Sequence, residues 1–597
     1  MCGFAGFIDF QDRQQPQQYW DYLSQMGLQL SLRGPDDEQV IHSSPLWLIY
    51  RRLAIIDIAG GEQPIWNEDE TMFVVVNGEI YNHQELRSHL REKHHFRTHS
   101  DAEIVLHLYE ELGPKALDYL NGMFAIAIWD KQRQQLFLAR DRLGIKPLYY
   151  AQVDSQLIFG STLASLLVHP NTPYYSQFQD LSNLSATTSY VKGVYRLAGG
   201  HYFTFDADTR TVKPQCYWDL ANYLIAEPVN DSRTPRDYIQ EYQDLFIDSV
   251  SKRLMSDVPL GISLSGGLDS GVIAAVASQL KPDLPCFSIG DEDTRGNGDL
   301  AAAQQLCQHL GLPFYPFQFD SEQFLEELDF SLGTFEYFIW LIDAPKFNLE
   351  WVYKHELYCY AKRQISGLKV MLLGQGADEF AGGYSIADDK TTKNWQDYNR
   401  ELNQKRQRMV QLKKSTRPND GSFAFDYTLK SYPPNCTTFQ QEMLMEVYSL
   451  QQYNLWHEDR SSMSQGIEAR VPFLDHRLVE YLASIPPQHH ATLFWNKTII
   501  RQMAQKWLPQ DFLVRPKSHA TEPTIYNNMK QKIIQQIFPE FQEKYLSNPE
   551  DCLLPPETMA DWFKNPLHND GTFACEKLLH GMAAIVFNEL CYSASCW

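Results

Sequence analysis

The first third of the chain alternates short apolar runs with polar turns. Leu46–Tyr50, Met72–Gly78, Phe124–Asp130, Gln135–Asp141 and Pro147–Val153 each read as a strand. Around Gln17–Leu32 and Asp101–Glu111 the apolar positions recur at helical spacing instead. Together they predict a mixed, largely antiparallel sheet architecture with helices packed on it. Between about Leu157 and Tyr217 the patterning weakens and polar residues accumulate, so a domain junction is expected there, ending in a hairpin over Lys192–Phe205. From about Asp237 strands alternate with helices: Asp257–Leu264, then Gly271–Leu280, Pro285–Gly290, Asp299–Leu310, Pro313–Phe319 and Lys369–Gly374. That alternation predicts a parallel sheet with helices on both faces, and such sheets bind ligands at the carboxyl ends of their strands. Beyond about Thr391 the chain reads as mostly helical.

Length adds that 597 residues exceed what one core holds, so two or more domains are expected. No apolar run approaches the roughly 20 residues of a membrane-spanning helix. A formal charge of −22 argues against non-specific nucleic-acid binding, which needs Lys and Arg against phosphate. The ten cysteines include no CxxC pair, which argues against a zinc or redox motif, and Cys591 and Cys596 read as ordinary thiols. The N-terminus lacks the basic and apolar regions of a signal peptide, so a reducing cytoplasm is the expected location.

Candidate chemistry begins at Cys2. If Met1 is removed, one residue carries a thiol beside an α-amine whose reference pKa of about 7.7–8.0 leaves a useful fraction as free base. Six motifs follow: RGPD (Arg33–Asp36), RRLAIID (Arg51–Asp57), NGEIYN (Asn77–Asn82), SDAE (Ser100–Glu103), GMFAIAIWD (Gly122–Asp130) and RDRLGIKPLYY (Arg140–Tyr150). In that order they resemble the class II glutamine amidotransferase domain of glutamine-dependent asparagine synthetases. The resemblance implies that Cys2 attacks the glutamine side-chain amide, and that Asn77 and the N–H of Gly78 hold the oxyanion. It further implies that Arg52 pairs with the substrate carboxylate and that Glu79 and Asp101 hold its ammonium. Arg33 reads as one half of an internal ion pair. Where relatives read HRGPD this chain has Leu32, which is read as a packing difference.

In the second half SGGLDS (Ser265–Ser270) joins a strand to a helix, an arrangement in which glycines admit phosphate to the backbone and the helix N-terminus favours the anion. No GxxxxGK[ST] accompanies it, and it resembles the pyrophosphate loop of ATP pyrophosphatases. GQGADEFAGGY (Gly374–Tyr384), SSMSQGIEARVPFLDH (Ser461–His476), NKTIIRQ (Asn496–Gln502) and VRPKSH (Val514–His519) follow in the order seen in asparagine synthetases. That resemblance places Leu264, Ser265, Gly266, Gly267, Asp269, Ser270, Ile289, Gly374 and Lys497 around ATP and pyrophosphate. Asp269 and Asp378 are the expected magnesium ligands, Lys497 the cation at the developing charge, and Arg515 and Lys517 further basic groups. At Gln375 several relatives carry glutamate, and a neutral amide orients but cannot accept a proton.

The whole resemblance implies an N-terminal nucleophile-type αββα sandwich followed by a parallel-sheet α/β domain of the ATP-pyrophosphatase kind with a helical C-terminal part. Residues 1–215 are assigned to glutaminase and linker, and 216–597 to synthesis. The implied enzyme is a carbon–nitrogen ligase using glutamine, ATP and Mg2+, with no organic prosthetic group, small-molecule substrates only, and a homodimer by family analogy. Aspartate is the leading acceptor. Two features favour a larger or more apolar carboxylate: the aromatic crowd Phe335, Tyr337, Phe338, Trp340 and Trp351, and the Phe and Tyr residues of His309–Phe319. The competing explanation is a helix packing its aromatic face into the core. The sequence GSTLASL (Gly160–Leu166) also departs from relatives where an ammonia path would run.

Overall fold

The computed structural model describes residues 2–11, 15–172, 187–229, 231–291, 299–319, 324–385, 393–415, 433–515, 523–547 and 572–594. Lys517 lies outside them. The N-terminal part contains β1 (Gly3–Asp9), α1 (Pro16–Leu28), β2 (Asp37–Ser43), β3 (Leu46–Arg52), β4 (Ile65–Trp66), β5 (Met72–Ile80), α2 (His83–Leu90) and α3 (Glu103–Leu112). It continues with β6 (Gly122–Asp130), β7 (Gln135–Arg140), β8 (Tyr149–Val153), β9 (Gln156–Gly160), α4 (Leu163–Leu167), β10 (Val194–Arg196), β11 (His201–Asp206) and β12 (Gln215–Cys216). These strands form two six-stranded antiparallel sheets, ordered β10-β8-β9-β1-β3-β2 and β12-β11-β7-β6-β5-β4.

The continuous apolar runs are explained by layers on both faces of each sheet. In β6, Ala125, Ala127 and Trp129 pack between the sheets, whereas Phe124, Ile126 and Ile128 face the helical layer of α3. In β1, Phe4 and Ile8 face the other sheet and Ala5 and Phe7 face α1 and α4. The result is a helix–sheet–sheet–helix sandwich. The expected hairpin at Lys192–Phe205 does not form. Val194–Arg196 pairs with β8 in one sheet and His201–Asp206 with β7 in the other, because the intervening glycines cross between layers. Residues 201–206 and 215–216 therefore complete the sandwich rather than forming a junction.

The second part opens with α5 (Pro235–Arg253), whose Thr234–Asp237 capping box and C-terminal Lys252 and Arg253 suit the helix dipole. It then runs β13 (Leu260–Ser263), α6 (Leu268–Leu280), β14 (Cys286–Asp291), α7 (Asp299–Leu310), β15 (Phe314–Phe319), β16 (Val370–Leu372) and β17 (Glu468–Arg470). All four neighbouring pairs in the order β15-β14-β13-β16-β17 are parallel. The chain steps outward from β13 to β15 and returns on the other side of β13 as β16. The loops leaving β13 and β16 therefore diverge and open a crevice at their carboxyl ends. SGGLDS and GQGADE are those two loops. Among the described residues no helix is long and apolar enough to cross a membrane.

The aromatic segment packs mainly as core. Phe335, Phe338 and Trp351 are buried, Phe335 packs on Phe347 at 5.0 Å and Trp351 on Trp456 at 5.6 Å, and the half-buried Trp340 donates to Gln29 just past α1. Phe317 and Phe319 likewise stack on Tyr360 and Tyr353.

Candidate active sites

β1 delivers Cys2 into the space between the sheets, where β3 and β5 end beside it. Cys2 is buried, with Sγ 3.8 Å from the Leu53 carbonyl, and burial pushes its thiol up against the lowering effect of the Tyr50 hydroxyl. Asn77 is fully buried; among the described residues its Nδ2 reaches only Ser161 Oγ, at 3.5 Å, and its Oδ1 has no hydrogen-bond partner. A Cβ at residue 78 would lie 1.9 Å from the Met123 carbonyl of β6, so only glycine lets this backbone pass.

Glu79 and Asp101 crowd negative charge into the same space. Burial, reinforced by Glu468 and Asp101, holds the Glu79 carboxyl well above the ordinary range, and burial raises Asp101 as well. Glu79 Oε2 has no hydrogen-bond partner. Its only cation among the described residues is Arg470 of β17, at 3.3 Å, which Glu468 shares at 2.7 Å. Asp101 accepts from the Ile80 N–H at 2.7 Å. Arg52 pins the loop after β3 through the carbonyls of Ile56, Asp57 and Ile58, leaving two of its five N–H donors uncommitted. Arg33 is the expected internal ion pair, bidentate to Asp459 at 2.7 and 3.2 Å, and its Nε lies 3.4 Å from the Cys2 carbonyl. Leu32 packs half-buried against the neighbouring apolar core.

In the crevice, Ser265 is exposed at the start of the loop while Leu264 is buried beneath it and Ile289 is half-buried on β14. The Ser270 hydroxyl receives the Ser265 N–H at 3.1 Å, curling the loop over the α6 N-terminus. Gly266 has φ +77°, with the Asp299 carbonyl 2.1 Å from where a Cβ would be. Arg515 fastens this turn from outside, donating to the Gly266 carbonyl at 2.6 Å and pairing with Asp299 at 2.8 Å. Gly374 packs against Asp269 and Ser270, which brings the two loops together.

Asp269 and Asp378 face one another across Lys497, whose Nζ lies 2.6 and 2.5 Å from their oxygens. Burial opposes the lysine charge, but the two carboxylates outweigh it and raise its pKa. Lys497 and Asn496 both lie in the left-handed region, at φ 54° and 51°, a strain of about 1–3 kcal/mol each. Arg501 holds the turn through Asn496 O at 2.8 Å and Oδ1 at 3.1 Å, and Ser385 Oγ accepts the Asn496 N–H.

Gln375 donates to Glu458 at 2.8 Å, and its own Oε1 is buried without a hydrogen-bond partner. Glu458 also accepts from Tyr358 and pairs with Lys354 at 2.9 Å. A cavity of about 10 Å³, room for one small molecule such as water, lies among Ile145, Lys146, Gln375, Leu455, Glu458, Asp459, Ala469 and Val471. Sequence reading passed over Glu458, Asp459 and Arg470. The available signal was Glu458–Arg460, three consecutive charges inside an otherwise buried helix (Asn454–Met463).

The family model described as a glutamine amidotransferase domain matches residues 1–218, and that described as asparagine synthase matches residues 241–580. Asparagine synthetase [glutamine-hydrolyzing] 2 of Bacillus subtilis is 37% identical over 538 residues, 87% of this chain and 71% of its own. Asparagine synthetase B [glutamine-hydrolyzing] of Escherichia coli is 28% identical over 85% of this chain and 80% of its own. Among solved structures, glutamine phosphoribosylpyrophosphate amidotransferase from B. subtilis aligns over 53% of this chain and 65% of its own, with 12% identity and a TM-score of 0.28.

Proposed function

Because this chain belongs to the glutamine-hydrolysing asparagine synthetase family, we propose that it frees ammonia from glutamine at Cys2 and uses it to amidate an ATP-activated aspartate. The observation that supports this reading best is the run of contacts between the two sites: Cys2 to Arg33, Arg33 to Asp459, and Asp459 to the cavity shared with Glu458 and Gln375.

In the glutaminase half, residues 1–215, once Met1 is removed the α-amine of Cys2 takes the thiol proton and the thiolate attacks the glutamine amide carbon. The Asn77 amide and the Gly78 N–H receive the oxyanion, which then collapses to a thioester as the α-ammonium returns its proton to the departing nitrogen and ammonia leaves. The two carboxylates that burial disfavours, Glu79 and Asp101, are relieved by the substrate ammonium, and the uncommitted donors of Arg52 meet its carboxylate. Water completes the turnover by hydrolysing the thioester to glutamate.

In the synthetase half, residues 216–597, the aspartate side-chain carboxylate attacks the α-phosphorus of ATP and pyrophosphate departs over the SGGLDS loop and α6 N-terminus. Asp269 and Asp378 fit a hard divalent cation, since they already hold one ammonium charge between them; Mg2+ there would neutralise phosphate charge. Lys497 faces the phosphoryl and acyl oxygens. Ammonia arriving through the cavity is oriented by the Gln375 carbonyl, attacks the acyl carbon and expels AMP, and Glu458 accepts its proton. A cytoplasmic location and a homodimer accompany the family reading. The burial of Phe335, Phe338 and Trp351 supports core packing over a bulkier acceptor for those three aromatics, while Tyr337 and Trp340 are half-buried.

The test is pyrophosphate release from ATP and Mg2+ across a panel of carboxylates, with glutamine or ammonium as donor. Aspartate alone should give release matched by asparagine, and Cys2→Ala should abolish the glutamine-fed reaction while sparing the ammonium-fed one. Release with a bulkier acid and silence with aspartate would give the alternative acceptor, and loss of both reactions in folded Cys2→Ala would refute the separation of sites.

A further inference from the structure

On the outer face of the sandwich, away from Cys2, four ligand-type side chains from three segments converge. Glu68 comes from the β4–β5 turn, His94 from the segment after α2, and His107 and Glu110 from one face of α3, three residues apart. One potential ligand atom from each lies within 4.8 Å of all the others. His94 Nδ1 is 3.4 Å from Glu68 Oε1 and 3.6 Å from Glu110 Oε2. His107 Nδ1 is 2.9 Å from Glu110 Oε2 and 3.9 Å from Glu68 Oε2. Bonds of about 2.0–2.2 Å to a tetrahedral zinc separate its ligand atoms by about 3.3–3.6 Å, and these distances straddle that value.

The surroundings have the form of an outer shell. Each imidazole turns Nδ1 inward and Nε2 toward a further carboxylate: His94 to Glu111 at 3.4 Å, and His107 to Glu103 at 3.7 Å. Among the described residues neither Nε2 makes a hydrogen bond of good geometry, although His107 is 1% exposed and the His94 side chain 10%. The carboxylates are fixed as well, since Glu110 Oε1 accepts from Asn67 Nδ2 at 2.7 Å and Glu68 Oε1 from the His95 N–H at 2.8 Å. Carboxylate–imidazole pairs behind a metal set the tautomer and raise ligand basicity. Two neutral imidazoles and two carboxylates also balance a divalent charge.

We propose that Glu68, His94, His107 and Glu110 form a binding site for a divalent cation of the zinc class. Four protein ligands make it structural. It ties the β4–β5 turn and the segment after α2 to α3, the helix that Asp101 precedes, and so braces one wall of the glutaminase site. A proton on His107, which Glu103 and Glu110 favour enough against burial to lift it to about 9, is the competing occupant.

The experiment strips full-length protein with a chelator, dialyses it against micromolar Zn2+ and counts retained metal by elemental mass spectrometry. Glu68→Gln and His94→Gln are the variants, both near the surface, where the fold tolerates change. Wild type should retain one more zinc per chain than either variant, and the zinc-edge X-ray absorption of that extra ion should show nitrogen and oxygen neighbours only, with imidazole scattering. Zn2+ should also raise the wild-type unfolding temperature more than that of the variants. Equal retention in all three proteins, no retention in wild type, or sulfur in the coordination shell would overturn the proposal. Sulfur would move the metal to Cys2 or to the His355, Glu356 and Cys359 group.

Discussion

Glu458 is held by three different partners: Gln375, Tyr358 and Lys354. Lys354 keeps Glu350 at 3.0 Å when Glu458 is neutralised, so Glu458→Gln leaves no orphaned charge. If Glu458 accepts the ammonia proton, this variant should make asparagine about 10²–10⁴-fold more slowly while aspartate-dependent ATP–pyrophosphate exchange stays within about threefold. A parallel loss of both would make Glu458 a packing residue. Gln375→Glu should slow synthesis as well, because it replaces the donor to Glu458 with a second carboxylate beside it, and the two would compete for one proton. Cys2 and the SGGLDS loop drew notice from local features, a residue ahead of the first strand and a glycine turn before a helix, whereas Asn77 and Gly78, inside β5, were named through the family resemblance. Glu458, Asp459 and Arg470 were not legible in the sequence, because the partners that tie them to Gln375, Arg33 and Glu79 lie 83 to 426 residues away, and a run of charges in a buried helix does not say which distant residue it meets.

Elements with a layer on each side announced themselves as unbroken apolar runs, which is why β5, β6 and β7 and the alternation after α5 were readable. Short or edge pieces were not. Val194–Arg196 and His201–Asp206 look like two arms of a hairpin in sequence, and only the separate edges open to them at β8 and β7 send them to different sheets. The helix Thr438–Gln452 carries a second kind of hidden information. Burial, with Glu442 and Glu379 nearby, pushes Glu446 up to about 8, whereas an unfolded glutamate titrates near 4.3. Between those values the folded chain keeps a proton that the unfolded chain has lost, so this group's contribution to stability falls as pH rises from about 4 to 8. Glu446→Gln should therefore gain in melting temperature over wild type progressively from pH 5 to pH 8. A difference that stays constant with pH would show that Glu446 is ionised in the fold.

Across the whole molecule the two halves share apolar cores and are joined as well by polar contacts, three of them buried and one nearer the surface. Arg33 meets Asp459, Glu79 meets Arg470, Asn121 meets Asp475, and Lys369 meets Asp36. Removing one member of a buried pair costs about 3–5 kcal/mol, whereas apolar replacement of both is often neutral. Arg33→Met and Asp459→Leu should each lower stability by about that amount, and the double variant should recover most of it. Because the pair also lies between the sites, the double variant should produce more glutamate than asparagine, measured as the product ratio with glutamine as donor. A ratio of one in the stable double variant would mean that ammonia does not pass there.

The shared guanidinium of Arg470 has a thermodynamic corollary. Glu79, from the sandwich, and Glu468, from the parallel sheet, compete for one cation, and under the proposed function a ligand ammonium at Glu79 would shift that cation toward Glu468. Occupancy of the first half would thereby change the electrostatic state of β17, whose neighbour β16 leads into Gln375. Linkage makes such an effect mutual: whatever factor glutamine imposes on acceptor affinity, the acceptor must impose on glutamine.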